Sequence, residues 1–548
     1  MWMSIPIALC DSCGRVAPTK RPSGESMIRK MLLSAAALAA ILPGVASAAW
    51  YQASSKHFVV YSNDKPENVK AYTEKLERFD RAISAWHRSP PTNRGPASRV
   101  TIFVVNDVAE VQRVYGAPGP AGFYLSRASG SVAFMPRSGG DGELSSQAIL
   151  FHEYTHHWMY LHWSDAAFPY WFTEGFAELH ATAIMRPDGG VTFGAAPAYR
   201  RYTVGQSNLM PAGDLLRARP SDKLDGASRD AVYSRGWLLL DYLTFDDERR
   251  IQLAQYIAAV NSGKTIAESA KLFGNTDTLD SRMTNWGKRP RLMSASIAPS
   301  EIAPGPIDIR ALTAGESAIM PALILSRRGV DPKRAAEVVA QARRLAAPYP
   351  DDAGAQNELA EAEYDAGNFA LSEAAADRAR AADPKSIHAL LYKGMAMQAQ
   401  AKKDKVTDPA RWLGIRKWYL AANKLDTEDP EPLVQFYDSF GAANEKPTGN
   451  AESALIYAYM LAPYDGPLRV RATRVFLGQG KVPEARIALG PIAFSAESRN
   501  LAAIGPKVMD AIDKNDIAEA IRLLDTANLD DAKDGDDKKK DGGSKKKG

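Results

Sequence analysis

The chain has 548 residues, with 68 basic and 64 acidic side chains, 45% hydrophobic and 24% charged residues. At roughly 150 residues per domain, that length predicts three to four domain-sized pieces with ordinary cores, and the composition excludes wholesale disorder. The first 48 residues hold 5 basic and 2 acidic side chains and residues 530–548 hold 7 and 6, which leaves 56 of each sign in the body. A balanced body lacks the basic footprint of a nucleic-acid binder.

From the amino end, Cys10 and Cys13 are the two cysteines of the chain. They lie upstream of a segment that reads as a secretory signal: Arg29 and Lys30, an apolar run from Met31 to Leu42, and the small-residue site Ala46-Ser47-Ala48. Residues 1–26 are read as an upstream extension and 27–48 as a signal peptide cleaved after Ala48. The expected product is periplasmic or secreted, with no thiol and no membrane span.

The runs His57–Ser62 and Arg99–Val105 are rich in β-branched and aromatic residues and predict strands. Between them Val69, Tyr72, Leu76, Phe79 and Ile83 fall at helical spacing over 66–87. Ser131–Met135 is a further short strand candidate, and after Leu144 the pattern is helical. The expected fold is an α/β amino-terminal lobe plus an α-helical lobe over 49–290, a Pro-rich linker over 291–307, and an all-α helical-repeat domain over 308–527. In the last of these, Leu359, Ala360, Gly367, Phe369, Ala379 and Pro384 resemble a tetratricopeptide repeat, and Gly394, Ala458, Pro463, Gly480 and Ala485 echo it. Residues 528–548, nearly all Asp, Lys, Gly and Ser, read as a disordered charged tail.

Five of the 8 histidines fall between His152 and His180. His152-Glu-Tyr-Thr-His156 is His-Glu-x-x-His, and on a helix the i, i+4 spacing puts both imidazoles on one face, where they can hold one Zn²⁺. A hydrolytic zinc takes three protein ligands and keeps a fourth position open. The third ligand is expected nearby, and the segment after Pro169, Tyr170-Trp-Phe-Thr-Glu174-Gly-Phe-Ala-Glu178-Leu179, predicts a second helix that carries Glu174.

Here the sequence resembles the gluzincin metallopeptidases, in particular the aminopeptidase N type, which joins His-Glu-x-x-His to a downstream Trp-Leu-x-Glu-Gly. Tyr233-Ser-Arg-Gly236 is similar to the family's Tyr-x-Lys-Gly. The resemblance implies His152, His156 and Glu174 as zinc ligands, Glu153 as general base and Tyr233 as the hydroxyl that meets the oxyanion. It also implies a supporting role for Glu178 beside a ligand histidine. The Gly-x-Met-Glu-Asn strand of aminopeptidases has its place taken by Gly130-Ser-Val-Ala-Phe-Met135, which has no acid, so cutting within chains is expected over trimming of amino termini. Ser131, Val132, Ala133 and Phe134 are expected to form an exposed edge strand that pairs with an extended peptide substrate.

The function expected from these residues is an exported zinc peptidase with one Zn²⁺ per chain, whose repeats bind substrate or a protein partner in their concave grooves. Two alternatives stay open: a noncatalytic interaction protein with a vestigial zinc site, and a zinc hydrolase of a non-peptide amide. The aromatics from Trp158 to Phe176 fit a core or a substrate wall. His180 is an outside candidate for the oxyanion, while His57, His87 and His388 carry no signal.

Overall fold

The computed structural model describes residues 49–527 except 93, 140–143 and 496–497. The expected extension, signal peptide and charged tail lie outside the described residues.

Strands β1 (Tyr51–Ser54), β2 (Phe58–Ser62), β3 (Val100–Asp107), β4 (Phe123–Leu125) and β5 (Val132–Ser138) enter one six-stranded sheet in the order β4-β5-β3-β2-β1. β2, β3 and β5 are parallel neighbours, while β1 and β4 run antiparallel to theirs. Helix α1 (Pro66–Trp86) makes the crossover from β2 to β3. The pleat explains its place: Phe58, Val60, Ile102 and Val104 point to one face, where Val69, Leu76, Phe79 and Ile83 of α1 bury against them. Phe103, Val105, Val132 and Phe134 point to the other face, toward helix α2 (Val108–Tyr115).

The strand predicted at Ser131–Met135 forms, but its expected exposure does not. β4 pairs along its outer side, Phe123 opposite Phe134 and Leu125 opposite Val132. Ser131, Val132, Ala133 and Phe134 are all buried. Over Val132–Phe134 a neighbour stands on each side, which leaves no free strand edge there, so that stretch cannot take up a peptide by strand addition.

The helical lobe contains α3 (Ser146–His162), α4 (Tyr170–Ala181), α5 (Gly226–Phe245), α6 (Asp247–Asn261) and α7 (Thr276–Gly287), with a second sheet of β6 (Ile184–Met185), β7 (Val191–Phe193) and β8 (Ala295–Ile297). Trp158, Trp171, Phe172 and Phe176 are buried in its core. On α5, Asp241 is fully buried, accepts a 2.6 Å hydrogen bond from Trp286 Nε1, and leaves its second oxygen without a partner. Burial pushes its pKa up to about 7 against the Trp286 hydrogen bond, so the folded state holds a proton that the unfolded chain releases near pH 4. Stability is therefore lost as pH rises from 4 to 7 and is level above. Asp241→Asn keeps the acceptor for Trp286 without the charge. Thermal melts should show it more stable than the wild type by an amount that grows from pH 4 to 7 and then stays constant.

The segment read as a linker is structured. β8, within it, pairs with β7, and β9 (Asp308–Ala311) returns to the first sheet as the edge strand beside β1, with Tyr51 opposite Ala311. The boundary drawn at 308 moves past β9, because residues 308–311 complete the lobe's sheet.

The helical pairs begin with α8 (Ala314–Arg328) and α9 (Pro332–Ala346), and continue as α10 (Ala353–Asp365), α11 (Phe369–Ala382), α12 (Ile387–Lys403), α13 (Pro409–Leu425), α14 (Pro430–Ala442), α15 (Gly449–Leu461), α16 (Gly466–Gly478), α17 (Val482–Ser495), α18 (Arg499–Asp513) and α19 (Ile517–Asp525). Gly367 and Gly480 take positive φ in the turns of two pairs, where a side chain is strained. The small residues close the stack: Ala360, Ala379, Ala458 and Ala485 are fully buried, and a Cβ on Gly394 would lie 2.7 Å from the Tyr419 ring. The first helices of successive pairs also touch, α8 with α10, α10 with α12 and α12 with α14, so they line the inner curve.

These repeats are built into the lobe. Met320 and Ile324 of α8 cover the second face of the first sheet with Phe103 and Phe134. The turn between α15 and α16 grips the lobe: Arg94 donates to the Met460 and Leu461 carbonyls, Ser126 donates to the Tyr464 carbonyl, and the Ala128 amide donates to Asp465. Arg469, with no exposed surface, donates to the carbonyls of Pro463, Ala488 and Ser164 and lies over the Tyr160 ring. Ser164 is two residues past the end of α3, so the repeats hold the end of the helix that carries His152 and His156. Among the described residues no helix is long and apolar enough to cross a membrane.

Candidate metal centre

Helix α3 starts at Ser145, whose side chain accepts from the Ala148 amide. Most of the helix is buried: Leu150, Phe151 and Tyr154 meet the first core, while Leu161 joins the core of the last repeats. His152, Glu153 and His156 instead line a cleft of ≈ 380 Å³ with Glu174, Glu178, Tyr199, Arg200, Arg229, Asp230 and Tyr233. Every residue that the two motifs and Tyr233-Ser-Arg-Gly236 single out for chemistry is in that cleft.

α4 brings Glu174 to the histidine pair. His152 Nε2 and His156 Nε2 are 3.2 Å apart, and Glu174 Oε2 is 3.4 Å from the first and 3.7 Å from the second. Two ligands on a tetrahedral ion with bonds of about 2.0–2.1 Å stand about 3.3 Å apart, so the three donors have the spacing of one such ion's ligand set. Glu174 is 1% exposed, and neither carboxylate oxygen has a hydrogen-bond partner in the protein. A buried carboxylate in that state is unfavourable unless a cation meets it, which also fits a metal. Burial alone would raise the Glu174 pKa, but the two nearby imidazoles outweigh it and hold the carboxyl below its usual range.

Glu178, one turn further along α4, has Oε1 3.5 Å from His152 Nδ1. It is itself held by the Tyr199 hydroxyl at 2.7 Å and by Arg200 Nη2 at 2.6 Å. Arg200 continues to Asp230, which also accepts from Thr203. This chain from His152 through Glu178 and Arg200 to Asp230 fixes the ring orientation of the histidine. Tyr199, Arg200 and Asp230 escape sequence reasoning, since they lie in or beside the irregular stretch between the motifs and no spacing marks them.

α5 supplies Tyr233. Its ring lies 6.0 Å from the His152 ring and near parallel to it, with the Arg200 guanidinium 4.9 Å from its centroid. α5 lies close against the backbone of α4. A Cβ on Gly175 would fall 2.5 Å from the Gly236 carbonyl oxygen, and one on Gly236 2.7 Å from the Trp171 carbonyl oxygen. Gly175, next to Glu174, and Gly236, three residues past Tyr233, are thus where α4 and α5 cross.

A scan against protein-family models gives no match to this sequence. No curated protein matches it either. Among solved structures the chain is similar to a thermophilic TPR protein of Thermus thermophilus, with a TM-score of 0.29 and 16% identity, over 38% of this chain and 100% of that one.

The remaining histidines sort by their partners. His180 is buried behind the cleft, its Nδ1–H donating to the Phe176 carbonyl and its Nε2 3.0 Å from His87 Nε2, which removes it as an oxyanion contact. His157 packs against the Tyr464 ring of the repeats and bonds the Tyr124 hydroxyl. His57, Glu77 and Asp80 form a second cluster of ligand-type atoms. Its atoms are used internally, since Glu77 accepts from the His57 amide and Nδ1 and Asp80 accepts from the Tyr154 hydroxyl. It braces α3 from behind.

Proposed function

We propose that this protein is a zinc peptidase of the gluzincin type, exported from the cytoplasm, with His152, His156 and Glu174 as the ligands of one Zn²⁺. The observation that carries this reading is the convergence of those three donors at tetrahedral-ligand spacing in a cleft that also holds Glu153 and Tyr233. When bound, zinc supplies Lewis-acid polarisation and a lowered pKa for water at the site.

The chain's own residues do the rest. Glu153, next to His152 and on the cleft wall, takes the proton of the attacking water and returns it to the leaving amine. The Tyr233 hydroxyl donates to the oxygen that becomes negative as the carbonyl turns tetrahedral, with its ring held between His152 and Arg200. Glu178 keeps His152 in the tautomer whose Nε2 faces the metal position. Internal bonds of a protein or peptide are the favoured substrate. A protein substrate or partner is placed on the inner curve of the repeats, where Tyr364, Tyr392, Glu431 and Asp438 stay partly accessible.

The test is a diverse peptide mixture incubated with the zinc-loaded protein and read by mass spectrometry. Internal cuts support this reading, and single-residue losses from amino termini would make it an aminopeptidase. Tyr233→Phe is expected to lower kcat by about 10²-fold, as for loss of one oxyanion donor, with KM and zinc content little changed. Unaltered kcat would remove Tyr233 from the chemistry.

A further inference from the structure

Among the described residues four carboxylates and two guanidinium groups line the cleft, and their pairing is uneven. Arg200 is shared between Glu178 and Asp230. Among the described residues no carboxylate pairs with Arg229, and its guanidinium makes one hydrogen bond, from Nη2 to the Leu224 carbonyl at 3.2 Å. It is an exposed side chain that lines the cleft one helical turn ahead of Tyr233 on α5, and Leu144, Ala148 and Ile149 are also in the lining. The neighbouring Asp230, which could have neutralised it, is turned to Arg200 and Thr203.

We propose that Arg229 is a substrate-binding residue that takes a carboxylate of the peptide, an inference that rests on the peptidase reading for the position of the scissile bond. The charge fits, because a planar guanidinium with most of its donors unused matches a carboxylate in two-point contact. The spacing sets which carboxylate. Residues four apart on a helix lie about 6 Å apart along the axis, and an extended peptide advances about 3.3 Å per residue. The guanidinium reaches back to the Leu224 carbonyl, so for a peptide lying along α5 an anion on it is at least two residues from the carbonyl beside Tyr233. The anion is supplied either by an Asp or Glu side chain there or by the terminal carboxylate of a short peptide.

The test uses four peptides of one sequence, with Glu or Gln two residues from the cut and with a free or amidated carboxyl end. Cleavage is measured as kcat/KM on the wild type and Arg229→Gln. Equilibrium binding is measured by fluorescence anisotropy on zinc-loaded Glu153→Gln with and without Arg229→Gln. The wild-type site is expected to favour one acidic form by about tenfold, the size of a partly solvated charge-assisted hydrogen bond. Arg229→Gln should erase that preference and leave the neutral peptide unchanged. Loss confined to the Glu peptides identifies an acidic side chain, and loss confined to the free carboxyl end identifies the terminus. Absence of any acid preference in the wild type, or an acid-to-neutral ratio of Kd that survives Arg229→Gln, overturns the proposal. If no peptide is cut, the peptidase reading fails while the Kd ratio still decides Arg229.

Discussion

Glu153→Gln is expected to abolish turnover, by about 10³-fold or more, while zinc stays bound. A positioned general base contributes about 10² to 10⁴-fold, and here the same carboxylate serves both the attacking water and the leaving amine. A loss of 10³ corresponds to about 4 kcal/mol of transition-state stabilisation. The substitution keeps the shape and one acceptor oxygen, and replaces the basic oxygen with an amide donor that cannot take a proton. Glu153 is outside the trio of His152, His156 and Glu174, so metal content measured by atomic absorption should equal that of the wild type. Rates and metal content taken on one preparation separate loss of the base from loss of the centre.

Gly236→Ala is expected to damage both stability and rate. In an open helix interior, Gly to Ala is favourable by about 1 kcal/mol. At Gly236 the new methyl would meet the Trp171 carbonyl oxygen at 2.7 Å, and at Gly175 it would meet the Gly236 carbonyl carbon and oxygen at 2.6 and 2.5 Å. Backbone atoms cannot rotate away as a flexible side chain can, so α4 and α5 must separate. Overpacking of this kind costs about 1–3 kcal/mol, which outweighs the propensity gain. The same separation moves Tyr233 from Glu174, and a misplacement near 1 Å can lower a rate about 10²-fold. Gly414, in α13 with nothing within 4 Å of its would-be Cβ, is the internal control. Gly414→Ala should be neutral or slightly stabilising in the same thermal melts, with unchanged activity.

The candidate site was largely legible in the sequence because it is written in short-range spacing. His152 and His156 share a helical face whatever the fold around them, Glu174 belongs to a helix whose start is marked by Pro169, and Glu178 and Tyr233 were drawn in by the resemblance of their motifs. The misreading of Ser131–Phe134 came from a long-range fact. β4 is three residues long and too short to show as a strand, yet it is what covers β5. In the same way β9 reaches back about 250 residues to pair with β1, and no local pattern in Asp308–Ala311 names that partner. The docking of the repeats was equally hidden. Arg469 is one of 68 basic residues in the sequence, and only the fold shows that it joins α16 to the end of α3. The glycines at 175 and 236 were visible as motif letters, but their reason, a crossing of two backbones, is a tertiary one.

The account rests on a metal centre, and the most direct measurement is zinc stoichiometry of the purified protein beside Glu174→Gln and His156→Ala. We predict one zinc per chain in the wild type, removed by a chelator and restored by Zn²⁺, with affinity lowered by 10²-fold or more in both variants, since each takes away one of three ligands. A wild type that binds no zinc, or that binds it equally well after either substitution, would contradict the account.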